Sequence, residues 1–169
     1  MEAGLEATVA SMFLDASARK MREMARTTET CLGKLEEEDV WRRGAEHENT
    51  IGNLLLHLCG NIRQWIHYGV CGEAYQRKRD EEFSTSGGAS KAELLAGFRE
   101  TVESAAKAVA GLDPARLTER IDPQGLGATP VLEAIYKVVG HLQLHVGQIV
   151  VLTKQMYGRD LDLSLPRKR

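Results

Sequence analysis

A chain of 169 residues with 43% hydrophobic and 27% charged residues fits one ordinary globular domain and leaves no room for a second of full size. Its 22 Lys and Arg against 24 Asp and Glu give a formal net charge of -2, which excludes bulk electrostatic attraction to nucleic acid or to an anionic membrane. The three cysteines, Cys31, Cys59 and Cys71, are odd in number and form no CxxC pair, which excludes a disulfide framework and a thiolate zinc site.

The start of the chain carries Glu2 and Glu6 and lacks the apolar core of a signal peptide. No later run approaches the roughly 18 uninterrupted apolar residues of a membrane span. The expectation is a cytoplasmic protein with no membrane partner, whose cysteines are small buried or half-buried thiols.

Four segments carry helical periodicity, and none shows the sustained alternation of a strand, so the expected class is all-α. The first helix runs from about Leu5 to Leu35, with Val9, Met12, Phe13, Ala16, Met21, Met24, Cys31 and Leu32 at three- and four-residue steps. Thr27, Thr28 and Thr30 weaken its middle. An Asn49 or Thr50 cap opens the second, which sets Ile51, Leu54, Leu55, Leu58, Ile62, Trp65 and Ile66 on one broad face before Gly69 and Gly72 end it.

A connection from Gly72 to Ala89, charged and then rich in Ser and Gly, is long enough to cross the molecule. Within it, Arg77-Lys78-Arg79 is balanced by Asp80-Glu81-Glu82, which reads as a solvated charge run. Ser90 with Glu93 makes a capping box for the third helix, which Gly111 and Asp113-Pro114 stop. Gly125-Leu126-Gly127 lies in a turn. Thr129 as cap and Pro130 at the first helical position open the fourth helix, which reaches Gly158, and the tail from about 159 to 169 is irregular. Helices of this kind bury a common core as a four-helix bundle, here with a crossover between helices two and three and one domain over 1–169.

Bundle interiors are where facing side chains build metal sites. His141 and His145 are four residues apart, so their Cβ atoms lie about 5–6 Å apart on one face of the fourth helix. Metal–nitrogen bonds of about 2.0–2.1 Å make that step a natural chelate, and neutral imidazole suits zinc, nickel, copper or iron. The stripe through Val138, His141, His145, Gln148 and Leu152 follows the core-facing period, which buries these rings.

His57 on the second helix supplies a third donor. It lies about 14 residues before Cys71, and the midpoint of the histidine pair lies about 14 residues after Thr129, or about 21 Å along each helix. Those depths match if the two helices are antiparallel, which the crossover allows. The competing reading is that these are core histidines satisfied by ordinary hydrogen bonds. His47 reads as a surface residue, and His67 points well around the helix from His57.

His141-Leu142-Gln143-Leu144-His145 lacks the Glu that serves as general base in HExxH proteases, and no ExxH joins either histidine to make a di-iron site. A mononuclear centre with three imidazoles keeps an open position that water or an exogenous thiolate can fill. Asn61 and Gln148 stand on the ligand side and can orient water, substrate or an imidazole. Cys59 projects away from His57, so no Cys–His nucleophilic pair is expected. Trp65 reads as core.

His57 followed much later by His141-x3-His145 resembles the DinB-like family. The segments Ile51 to Asn61, Arg79-Asp80-Glu81-Glu82-Phe83, His145-Val146-Gly147-Gln148-Ile149 and the terminal Leu163 to Arg167 are most similar to a DinB-like subgroup of unassigned function. The resemblance implies a four-helix bundle with one divalent ion per chain, nickel or zinc first and iron or manganese next, held by His57, His141 and His145. It also implies a homodimer acting on a small molecule. Relatives that use low-molecular-weight thiols make a thiol transferase one expectation and a hydrolase another. The alternative is a noncatalytic, metal-stabilised bundle acting in self-association or partner binding.

Overall fold

A computed structural model describes residues 2–163. The chain is mostly helical, with α1 at Glu2–Leu32, α2 at Ile51–Ile62, α3 at Arg79–Ser84, α4 at Lys91–Ala110 and α5 at Val131–Tyr157. The threonines do not break α1, because the Thr27, Thr28 and Thr30 hydroxyls each bond back to the carbonyl four residues earlier.

Thr50 opens α2 through a reciprocal cap. Its Oγ1 accepts from the Asn53 N–H at 3.0 Å, and Asn53 Oδ1 accepts from the Thr50 N–H at 3.2 Å. The helix runs through Gly69 to Val70, and Gly72, at φ of 75°, lies just past its end as expected. Over Arg63–Val70 it is a π-helix, with the Cys71 N–H reaching the Ile66 carbonyl at 2.9 Å. The long connection that follows is not structureless either, since it contains α3. Ser90 and Glu93 form the expected capping box of α4, with Ser90 N–H donating to Glu93 Oε2 at 2.8 Å.

The opening of α5 differs from the sequence reading. Pro130 is the cap and Val131 the first helical residue, because Thr129–Pro130 (β2) pairs antiparallel with Arg120–Ile121 (β1). The Val131 N–H continues that register by donating to the Glu119 carbonyl at 2.9 Å. A short ladder therefore interrupts the otherwise helical chain. Gly125 and Gly127, at φ of 69° and 123°, sit in the expected turn, where Asp122 accepts from the Leu126 and Gly127 N–H groups.

One apolar cluster joins the long helices, through Met21, Cys31 and Leu32 of α1, Leu54, Leu58 and Ile62 of α2, Phe98 and Val102 of α4, and Ile135, Leu142 and Ile149 of α5. Cross-element pairs show how the helices meet. Along α2 and its extension, His57 meets His141 and Trp65 meets Lys137, so numbers rise on one side as they fall on the other. Toward α4 they rise together, Arg63 bonding to Thr101 and His67 to Ser104.

Cys31 is buried and Cys59 half-buried as expected, whereas Cys71, on the turn that closes the π-helix, is exposed. Among the described residues, α5 has the length and composition to cross a membrane, yet its inward stripe packs in the core and it carries His141 and His145. Residues 159–163 are irregular as expected, and 164–169, with most of the Leu163–Arg167 motif, lie outside the described residues.

Candidate metal centre

The site begins with His57, which α2 carries between Asn53 and Gly60 on its α3-facing side and leaves only 5% exposed. Its ring centroid lies 5.0 Å from those of His141 and of His145, and these two are 4.4 Å from each other. One donor nitrogen from each ring falls within 4.8 Å of the other two. The structure thus brings together the three histidines singled out by their spacing. It differs on depth: only His57 is buried, while His141 and His145 are half-buried at the edge of the core. Their helix turns Gln143 and Leu144 to solvent between them, so the cluster has one closed side and one open side.

The closed side is supplied by a segment that the sequence reading took for solvated charge. Glu82 of α3 is 7% exposed, and its Oε2 accepts from His57 Nδ1–H at 2.9 Å. Arg77 grips the same carboxylate with two bonds of 2.7 Å and donates from Nη1 to Gln64 Oε1 at 2.9 Å. Arg77 Nη2 also lies 3.1 Å from His57 Nδ1, but both are donors converging on one carboxylate oxygen, so this is no bond between them. Lys78 and Glu81, in contrast, pair at the surface.

Backbone contacts fix α3 in place. Asn53 Nδ2 donates to the Glu82 carbonyl at 3.0 Å and to the Thr85 carbonyl at 2.6 Å. Gly60, one turn after His57, lies directly beneath the Glu82 carboxylate, which a Cβ at that position would strike. The Phe83 ring covers the His57 ring at 4.8 Å. Glu82 belongs to the Arg79 to Phe83 motif, but that segment has no periodicity pointing inward, and Gly60 is the local signal that another chain segment comes close.

These contacts decide the tautomers. A carboxylate accepts only, so His57 carries its proton on Nδ1 and turns the Nε2 lone pair toward His141 Nε2, 2.8 Å away. His145 Nδ1 donates to Gln148 Oε1 at 2.7 Å, which leaves its Nε2 as the free donor atom. Gln148 therefore contacts a histidine as the spacing suggested, although it is exposed. Asn61 instead lines a cleft with Trp65, Tyr136, Lys137 and His141. His47 is exposed, and His67 lies outside the cluster.

Burial pushes His141 down from 6.5 to about 4, helped by the charges that His145 and His57 would carry. Burial also lowers His57, opposed by its bond to Glu82. Three imidazole nitrogens gathered this closely, once free of their protons, are what a transition-metal ion takes as ligands. An ion with bonds of about 2.0–2.1 Å holds tetrahedral ligand nitrogens about 3.3 Å apart, a spacing that small ring movements reach from here. The donor set fits such an ion.

The model of the family described as "Protein of unknown function (DUF1572)" matches residues 8–169. The chain belongs to this DUF1572 family. A crystal structure of a DinB-like protein from Bacillus cereus ATCC 10987 is similar over 83% of this chain and 90% of that one, with a TM-score of 0.65 at 18% identity. The DinB-like resemblance is thereby borne out for the fold. No curated protein matches the chain.

Proposed function

We propose that this chain is a divalent-metal-dependent enzyme in which His57, His141 and His145 hold one ion per chain, zinc or nickel first and iron or manganese next. The observation that carries the reading is the convergence of three imidazoles at the edge of the core, closed on one side by Glu82 and open on the other. When bound, the ion supplies a Lewis acid that lowers the pKa of water or of a low-molecular-weight thiol.

The rest of the chemistry falls to the chain. Glu82 and Arg77 hold His57 in one tautomer, Gln148 does the same for His145, and Phe83 keeps water from the closed side. A small-molecule substrate enters from the open side, where a cleft of about 410 Å³ lies beside His141 between Trp65, Tyr136 and Asn61. Thiol transfer and hydrolysis are separated by incubating metal-loaded protein with electrophiles, with and without a low-molecular-weight thiol. Thiol-dependent turnover supports a transferase, and thiol-independent turnover a hydrolase. No turnover of any electrophile or ester by fully loaded protein speaks against catalysis.

The same proposal takes the long helices α1, α2, α4 and α5 as a four-helix bundle of one domain, with 71–90 as the crossover. The parallel stepping of the α2 extension with α4, and the opposed stepping with α5, support it. Three free cysteines suit the cytoplasm. Leu132, Tyr136, Leu144 and Val151 are exposed on α5, which favours a homodimer through that helix. They also favour a second reading, in which the ion only stabilises a self-associating bundle. Sedimentation of loaded and metal-free protein separates the two, since the second requires metal-dependent association without turnover.

A further inference from the structure

A second group of reactive side chains lies on the other flank of the α2 extension, where it packs on α4 rather than on α5. Ser104 Oγ stands 3.0 Å from His67 Nε2, and His67 Nδ1 stands 3.3 Å from Glu73 Oε1. The carboxylate can only accept, so the ring proton sits on Nδ1 and the Nε2 lone pair faces the Ser104 hydroxyl. The Glu73 N–H donates to the His67 carbonyl at 2.9 Å, which ties the two residues together through the backbone as well. Ser104 Oγ also lies 3.2 Å from the Thr101 carbonyl, the usual resting partner of a helical serine and the longer of its two contacts.

The surroundings are also those of a site. His67 is carried by the π-helical stretch Arg63–Val70, a conformation that occurs frequently at functional sites. The same stretch carries Arg63, whose Nη2 donates to Thr101 Oγ1 at 3.1 Å, one turn before Ser104. Arg63, His67, Glu73, Tyr75, Glu100 and Ser104 line one cleft of about 380 Å³. A nucleophile, a base, a residue orienting the base and a cation thus face one small polar space.

We propose that Ser104, His67 and Glu73 form a second reactive site, a serine nucleophile activated by a histidine base, which takes small polar carboxylic esters. Ser104 Oγ adds to the ester carbonyl carbon while its proton passes to His67 Nε2, and Arg63 faces the charge that develops on the carbonyl oxygen. The bond from that carbon to the alcohol oxygen breaks, and the alcohol leaves with the proton from His67. Water, losing a proton to His67, then adds to the acyl carbon, the bond to Ser104 Oγ breaks as His67 returns that proton to Oγ, and a carboxylic acid, neutral His67 and the free Ser104 hydroxyl result. No electrons change hands, and no ion is required.

4-Nitrophenyl acetate tests the site, with nitrophenolate release followed in the visible and acetylation located by peptide mass mapping. The expected result is acetyl-Ser104, absent in Ser104→Ala, formed at least about 100-fold more slowly in His67→Gln, and unchanged after EDTA treatment. Ser104 lies exposed on a helix, where alanine is well tolerated, and circular dichroism confirms that both variants keep their fold. Equal nitrophenolate release from Ser104→Ala, or equal acetylation of Ser104 in His67→Gln, overturns the proposal. The EDTA arm keeps this outcome separate from that of the histidine cluster.

Discussion

His57 and Glu82 are 25 residues apart in the chain and 2.9 Å apart in space, both buried, with the carboxylate oriented by Arg77. That bond ties α2 to α3 and sets which nitrogen of His57 is free to act. It also explains why Arg77 and Glu82 turn inward from a charged segment whose Lys78, Arg79, Asp80 and Glu81 stay exposed as expected.

Removing the carboxylate should have two separable effects. Glu82→Ala leaves the buried Arg77 guanidinium without its partner, an effect of about 3–5 kcal/mol that thermal or urea unfolding measures. Glu82→Gln keeps the shape and an acceptor, so it should unfold less readily than the alanine variant. Its affinity for metal should fall about 10- to 100-fold in chelator competition, because the imidazole loses a charged orienting partner.

Gly60→Ala tests whether α3 is seated as described. The added Cβ meets the Glu82 carboxylate, so α3 must shift or the Arg77 bonds must break. The expected cost is about 1–3 kcal/mol in unfolding, with weaker metal binding. Gly97→Ala, whose Cβ meets open space within a helix, should be neutral or slightly stabilising in the same assay.

Asn53→Ala removes both bonds that hold the α3 backbone and half of the α2 capping box. The Glu82 and Thr85 carbonyls lose a buried donor, and a loss of about 1–3 kcal/mol is expected. Amide exchange around residues 79–85 should accelerate more than exchange in α4, a pattern that a merely global destabilisation does not produce.

Much of the fold could be read along the chain, because the long helices have amphipathic periods and definite caps. Thr50 and Ser90 cap where their side chains indicated, and His57, His141 and His145 converge as their spacing required. Pro130 was misplaced by one residue because a two-residue ladder with Arg120–Ile121 claims it, a pairing too short to leave a pattern. Arg77 and Glu82 were missed for a different reason. Each lies in a segment without periodicity, so its burial is decided by Asn53 and Gly60 on another helix. The half-exposure of His141 and His145 likewise depends on what does not cover α5.

The acid response follows from the histidines. In the unfolded chain an imidazole titrates near 6.5, whereas in the folded chain burial holds His141 near 4 and lowers His57. Below about 6.5 the unfolded state therefore binds protons that the folded state refuses. Metal-free protein should lose stability as pH falls from about 6.5 to about 4, with little further loss from this source below that. Urea unfolding at a series of pH values checks it, and His141→Gln should flatten the slope.

The central claim is that three imidazoles share one cation, and elemental analysis of purified, metal-equilibrated protein tests it most directly. The account predicts close to one equivalent of a divalent transition metal per folded chain, falling to a small fraction in His57→Ala and His145→Ala that remain folded by circular dichroism. Full occupancy in either variant, or no bound metal in the parent protein after equilibration with zinc and with nickel, would contradict it.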